Sequence, residues 1–252
     1  MVDLTNKAFI ITGGNGGIGL GMAEGIVLAG GSIAIWGRNA DKNEAAVATL
    51  EALGGKAVSY VCDVSDEQDV ISTMQRSVKD LGRCDGLFAN AGRTGTGTAF
   101  VDLPLEEWRA VMSTNLDGVF LCLREAAKVL IDQKEGGSLV AVSSTSAIHG
   151  AAGNEAYGTA KTGLNGLVRA LAVGLARHNI RVNSLLPGWT LTEMASRSYE
   201  NDRFRDATTK RTPVRRWADP EEFREVGAFL ADPSQTFHTG QEVCVDGGYT
   251  VF

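Results

Sequence analysis

Cysteine is scarce in this 252-residue chain: there are four, Cys62, Cys84, Cys122 and Cys244. None forms a C-x-x-C pair and no histidine cluster accompanies them. A zinc site or a disulfide framework is therefore not expected, no metal is called for, and a reducing compartment is the default. Proline is also rare, at 5 residues against 31 glycines. That balance excludes a Pro-rich disordered chain and implies many tight turns in an ordered one. There is no basic block, and 24 Lys+Arg stand against 30 Asp+Glu, a net charge of −6. Nucleic acid and anionic membrane surfaces are thus excluded as main partners. No apolar run is long enough to span a bilayer. The N-terminus, "MVDLTNKAFIITGG", carries an acid near its start and only a short apolar run, so it does not read as a signal peptide. The expectation is a soluble, cytoplasmic protein. Hydrophobic residues, at 44%, suffice for a sizeable core, and the length suits one large α/β domain over residues 1–252.

Short apolar runs alternate with longer amphipathic stretches. Strands are expected at Lys7–Thr12, Ser32–Trp36, Ala57–Val61, Gly86–Ala89, Ser138–Val142, Arg181–Leu186 and Glu242–Val245. Helices are expected after the first glycines through Ala29, then over Asp41–Ala52, Asp66–Leu81, Pro104–Ile131 with a break near Asn115, and Glu155–His178. Continuous apolar strands between helices imply a parallel sheet covered on both faces, hence a doubly wound Rossmann-type fold. Ligands of such folds bind beyond the carboxyl ends of the strands. Residues Thr190–Trp217 form a polar, arginine-rich excursion after the sixth strand. It reads either as a lid beside the site or as a solvated surface helix.

"TGGNGGIG" (Thr12–Gly19) follows the first strand and opens a helix. Its glycines allow a tight turn and close backbone approach to a pyrophosphate, and the helix N-terminus offers unpaired N–H groups. There is no Gly-Lys-Ser/Thr, so a P-loop is a poor reading. At the end of the second strand, where nucleotide folds test the adenosine ribose, Gly37 takes the usual acid position and Arg38 follows. A guanidinium pairs well with a 2′-phosphate, which favours NADP(H), with NAD as the alternative. Further on, Leu164, Leu167, Val168, Leu171 and Leu175 make one helical stripe, so Tyr157 and Lys161 are i, i+4 neighbours. An ammonium beside a phenol lowers the phenol pKa, which would let Tyr157 exchange protons near neutral pH. No G-x-S-x-G elbow surrounds Ser144, so a serine hydrolase is not expected.

These motifs resemble those of the short-chain dehydrogenase/reductase family. T-G-x-x-x-G-I-G is followed in family order by "CDV" (Cys62–Val64), "NAG" (Asn90–Gly92), "NLDG" (Asn115–Gly118), "SS" (Ser143–Ser144), "YGTAK" (Tyr157–Lys161), "PG" (Pro187–Gly188) and "VDGG" (Val245–Gly248). The resemblance covers essentially the whole chain. It implies an NAD(P)-dependent oxidoreductase acting on CH–OH groups, with Asn115, Ser144, Tyr157 and Lys161 as catalytic tetrad. The implied cofactor contacts are Gly13, Asn15, Gly17, Ile18, Gly19, Arg38, Asp63, Val64, Asn90, Gly92, Tyr157, Lys161, Pro187, Gly188, Thr190 and Thr192. Two positions depart from the family pattern: Ala89 stands where relatives carry asparagine, and Thr190 where they carry Val or Ile. Among residues flanking the motifs, His149 is the best placed for substrate contact. The resemblance also implies a homo-oligomer, commonly a tetramer, with the C-terminal end at the subunit interface. A small alcohol or carbonyl compound is the expected substrate. A nucleotide-sensing regulator without turnover is the alternative of another class.

Overall fold

The computed structural model describes residues 2–252. Seven strands, β1 (Ala8–Thr12), β2 (Ser32–Gly37), β3 (Ala57–Val61), β4 (Gly86–Ala89), β5 (Gly137–Val142), β6 (Ile180–Pro187) and β7 (Glu242–Val245), form one sheet in the order β3-β2-β1-β4-β5-β6-β7. Every pairing is parallel. The helices are α1 (Gly17–Leu28), α2 (Ala40–Ala52), α3 (Glu67–Leu81), α4 (Leu105–Met112), α5 (Gly118–Gln133), α6 (Glu155–Leu175), α7 (Ser196–Glu200), α8 (Asp202–Arg211) and α9 (Arg224–Ala231). The expected strands are all present, with ends shifted by no more than one or two residues. The excursion after β6 contains α7 and α8, and α9 was not foreseen.

Successive residues of a strand face opposite sides of a sheet. In β1, Ile10 therefore joins Trp36, Leu87 and Leu139 in the core under α3, α5 and α6. Phe9 and Ile11 join Ile33, Ile35 and Phe88 under α1, α2 and α9. Burial on both sides explains why the strands read as unbroken apolar runs rather than alternating ones. The register aligns the carboxyl ends: Thr12 stands opposite both Trp36 and Ala89. The strand order reverses between β1 and β4, which opens the crevice where such folds hold a ligand.

α1 is apolar nearly all round because it is enclosed between the sheet and α9. Its close approach to α9 needs glycine: a Cβ on Gly25 would lie 2.0 Å from the Arg224 carbonyl oxygen. Gly25→Ala must force the two backbones apart, an overpacking cost of about 1–3 kcal/mol. At roughly 2–4 °C per kcal/mol for a domain of this size, the Tm is expected to fall by several degrees. Gly166→Ala, on the open face of α6 where a Cβ meets nothing within 4 Å, should instead stabilise by about 1 kcal/mol. Thermal melts of the two variants check the contrast.

Among the described residues no helix is long and apolar enough to cross a membrane, and no cluster of side chains could hold a metal ion.

Candidate active site

The site is assembled at the carboxyl edge of the sheet. β1 runs into the glycine turn, and α1 begins at Gly17 with neither a side-chain cap nor an acid in its first turn. Its free N–H groups are thus left for an anion. Gly17 has φ +51°, and a Cβ there would come 3.0 Å from the Thr192 methyl group, so the loop after β6 closes on the turn. Thr12 Oγ1 accepts from the backbone N–H groups of Asn90 (3.0 Å) and Ala91 (2.9 Å). Asn90 Nδ2 donates to the carbonyls of Thr12 (3.0 Å) and Gly13 (3.1 Å). Asn90 therefore ties the glycine turn to the end of β4. Ala89 costs no such tie, because it is buried within the strand opposite Thr12 and Ala141. Thr190, the other departure, is buried; its hydroxyl donates to the Gly188 carbonyl at 3.1 Å, and it bridges to Ala218.

At the end of β2 there is no room for the usual acid. A Cβ on Gly37 would lie 2.3 Å from Asn15 Nδ2 and 2.5 Å from Asn43 Oδ1. Asn15 donates to Asn43 at 2.7 Å, and Asn43 donates to the carbonyls of Gly37 and Tyr60. The two asparagines thus roof the position. Sequence reading missed Asn43. Its signal was a polar residue at i, with Ala46 and Leu50 at i+3 and i+7, on the one buried stripe of α2. Arg38 next to it is exposed. It lies close enough to Asp63 to help hold that carboxyl below the usual range, after the larger effect of the Ser65 hydroxyl. Arg38 and Asp63 thus share one end of the crevice.

The tetrad residues converge at the other end. The break near Asn115 is a π-helical turn, Ser113–Asp117, between α4 and α5. Asn115 is fully buried; Nδ2 donates to the carbonyls of Arg93 (2.8 Å) and Val111 (2.9 Å), and Oδ1 accepts from Arg93 N–H (3.1 Å). It pins the loop that follows β4. A Cβ on Gly92 would meet Asn115 Oδ1 at 2.8 Å and Lys161 Nζ at 3.8 Å, so both groups flank that glycine. Ser143 and Ser144 have separate tasks. Ser143 Oγ donates to the Lys161 carbonyl (2.9 Å) and fixes α6 on β5, whereas Ser144 Oγ accepts from Ser146 N–H (3.0 Å) and makes a polar contact with the Tyr157 hydroxyl. Lys161 Nζ lies 5.4 Å from the Tyr157 ring centroid and donates to the Val142 carbonyl at 2.7 Å.

One expectation is corrected here. The pairing of Tyr157 with Lys161 was expected to lower the tyrosine pKa. Burial pushes the phenol up instead, and only the Ser144 contact pulls it down. Burial also pushes Lys161 down, to about 8. Desolvation governs both shifts, because both groups sit where water has been displaced.

Beyond the tetrad, aromatic side chains line the excursion. Trp189 stacks on Trp217 with centroids 4.9 Å apart and meets Phe204 edge-on at 5.0 Å. A small pocket of about 10 Å³ lies on one side of Tyr157, between Gly95–Gly97 and Gly153–Ala156. A cavity of about 280 Å³, lined by Lys7, Asp85 and Arg181, lies at the opposite, amino edge of the sheet, away from this chemistry.

The comparisons with known proteins agree with this geometry. Residues 13–250 match the family model described as enoyl-(acyl carrier protein) reductase. The chain is 34% identical over 251 residues to 2,5-dichloro-2,5-cyclohexadiene-1,4-diol dehydrogenase of Sphingobium indicum, covering 99% of each protein. It is 33% identical to gluconate 5-dehydrogenase of Gluconobacter oxydans, covering 100% of this chain and 97% of that one. Among solved structures, a gluconate 5-dehydrogenase from Burkholderia cenocepacia in complex with NADP and tartrate superposes with a TM-score of 0.93. The two are 30% identical, with 99% of this chain and 97% of that one covered. The chain belongs to the short-chain dehydrogenase/reductase family, oxidoreductases that act on hydroxyl and keto groups with a nicotinamide dinucleotide, NADP or NAD.

Proposed function

We propose that this protein transfers hydride between NADP(H) and a small secondary alcohol or its ketone, with Tyr157 as the acid/base. The observation that carries this reading is the convergence of Ser144, Tyr157 and Lys161 at the carboxyl edge, beside a glycine turn shaped for a pyrophosphate. A bound nicotinamide supplies the hydride donor or acceptor. The first turn of α1 holds its phosphates, with Gly13, Gly17, Ile18 and Gly19 giving backbone access. Asp63, Val64, Asn90, Gly92, Pro187, Gly188, Thr190 and Thr192 line the remainder of the crevice. Ser144 holds the substrate oxygen and Tyr157 gives it a proton during reduction, or takes one during oxidation. Lys161 resupplies the proton, by way of water near Gly92 and Asn115. Burial keeps Tyr157 protonated at neutral pH, which suits the reductive direction.

NADP is favoured over NAD because the roofed Gly37 admits no carboxylate and Arg38 is exposed beside it. NADPH is expected to bind about tenfold or more tighter than NADH, and Arg38→Gln to lose most of that difference, since a charge-assisted contact is worth about 1.5–3 kcal/mol. Fluorescence titration of both cofactors with both proteins checks it. Tighter NADH binding by the wild type overturns the assignment. The expected homo-tetramer would cover Val251 and Phe252, whose side chains are 87% and 72% exposed. A cytoplasmic setting suits the four free cysteines.

A further inference from the structure

Three side chains from three separate segments meet around one aromatic ring. His149 lies in the turn after β5, its N–H donating to the Thr145 carbonyl at 3.0 Å, one residue beyond Ser144. Its ring meets Tyr249, beyond β7, edge-on with centroids 5.9 Å apart. Arg211, at the end of α8, lies over the other ring, its guanidinium carbon 4.2 Å from the Tyr249 centroid and Nη1 donating to the Tyr249 hydroxyl at 3.3 Å.

Two of these groups are left incomplete. His149 Nε2 is enclosed and has no hydrogen-bond partner. Arg211 is half-buried, and among the described residues it has no carboxylate within ion-pair distance. On the same excursion Arg205 pairs with Asp202 at 2.7 Å and Arg216 with Glu222; Arg197, Arg203 and Arg215 have no ion pair but are exposed to water, whereas Arg211 is half-buried. Enclosed polar atoms and partly desolvated cations are normally paired, because leaving them unpaired costs about 1–3 kcal/mol. Both groups contact the Tyr249 ring, His149 edge-on and Arg211 over its face. A group that accepts two hydrogen bonds and carries negative charge would fill both.

We infer that the substrate carries a carboxylate, and that Arg211 and His149 bind it against Tyr249 while the reacting carbon lies at Ser144 and Tyr157. The site thus selects hydroxy acids and keto acids over neutral alcohols. This rests on the reading of the site as an NADP(H)-dependent dehydrogenase. It places the charge recognition on the excursion after β6, at the end of α8. Tyr249 acts as the platform that holds Arg211 in place by its ring face. Arg211 is a specificity residue and takes no part in proton transfer.

The test compares two ligands that differ only at C1. D-Gluconate has a carboxylate there, and sorbitol has a neutral CH₂OH. Both are titrated by calorimetry into protein saturated with NADPH, where an alcohol cannot be turned over. Gluconate is expected to bind about tenfold or more tighter than sorbitol. Arg211→Gln should weaken gluconate about 10–100-fold, the range for a lost charge-assisted contact, and leave sorbitol within about twofold. Arg211→Lys should restore part of the gluconate affinity. His149→Phe keeps the edge contact with Tyr249, removes Nε2, and should weaken gluconate several-fold. Arg203→Gln, an exposed charge on the same helix, should change neither ligand. The inference is overturned if the wild type binds gluconate no tighter than sorbitol, or if Arg211→Gln binds it as well as the wild type does. The NADPH titration that precedes these measurements reports separately on the dehydrogenase reading. Loss of cofactor binding would sink that reading, whereas intact cofactor binding with indifferent Arg211 sinks only the carboxylate.

Discussion

Tyr157→Phe is expected to lower turnover by about 10²–10⁴-fold, the usual worth of a positioned general acid or base. The change removes one oxygen and leaves the ring in place beneath Lys161. The glycine turn, Arg38 and Asp63 are untouched, so NADPH affinity should stay within about twofold of the wild type, since those groups are remote from the phenol. Steady-state kinetics together with a cofactor titration separates the two effects. A pH profile sharpens the test. Burial raises the Tyr157 pKa in the cofactor-free protein, so the phenol is the dominant form at neutral pH. Reduction, which consumes the phenol form, should hold its rate through neutral pH. Oxidation, which consumes the phenolate, should speed up as pH rises. Near-normal turnover by Tyr157→Phe, with its fold intact, would show that the proton comes from elsewhere.

Lys161→Met should do two opposite things: abolish most turnover and stabilise the cofactor-free protein at pH 7. Lys161 is 3% exposed and donates to a single carbonyl, that of Val142. Burial holds its pKa at about 8, well below the 10.5 of an ordinary lysine. Between those two values the unfolded chain binds more protons than the folded one, so stability rises with pH across that window. Below pH 8 the buried charge weighs on the fold in full, an upper bound of about 3 kcal/mol from the pKa difference. Methionine fills the same space without charge but loses the bond to Val142. A net gain of about 1–2 kcal/mol is expected at pH 7, shrinking as pH rises from 8 toward 10.5 because the folded wild-type amine becomes neutral. Denaturant melts of both proteins at the two pH values measure it. A variant less stable than the wild type at pH 7 would mean that the ammonium is held by more than the structure shows.

The strands were legible in the sequence because a sheet buried on both faces demands unbroken apolar runs, and "AFIIT" and "GSLVAV" have no other comfortable place. The π-helical turn was legible as a break because Asn115 is a poor helix residue. α9 was not, because "REVGAFLA" is short and carries a glycine, and its position depends on the close fit of Gly25 and Gly227 across two helices. The tetrad was legible through spacing and resemblance. The direction in which Tyr157 shifts was not, since a neighbouring charge can be read from an i, i+4 pair but desolvation arises only from what packs around it. The Asn15–Asn43 roof over Gly37 and the contact of His149, Tyr249 and Arg211 join segments distant in the chain, which no periodicity reports.

The reversal of strand order between β1 and β4 carries a further consequence. The residues proposed for the adenosine end, Gly37, Arg38, Asn43 and Asp63, all come from β2, β3 and the segments that follow them. Ser144, Tyr157, His149, Arg211 and Tyr249 all come from β5 onward. The two sets meet only across the crevice. On the proposed reading, the choice of dinucleotide and the choice of alcohol are therefore written in separate halves of the chain. Exchange of one half's loops can retune one choice while leaving the other as it stands, a modularity that chimeras joined after β4 would exploit.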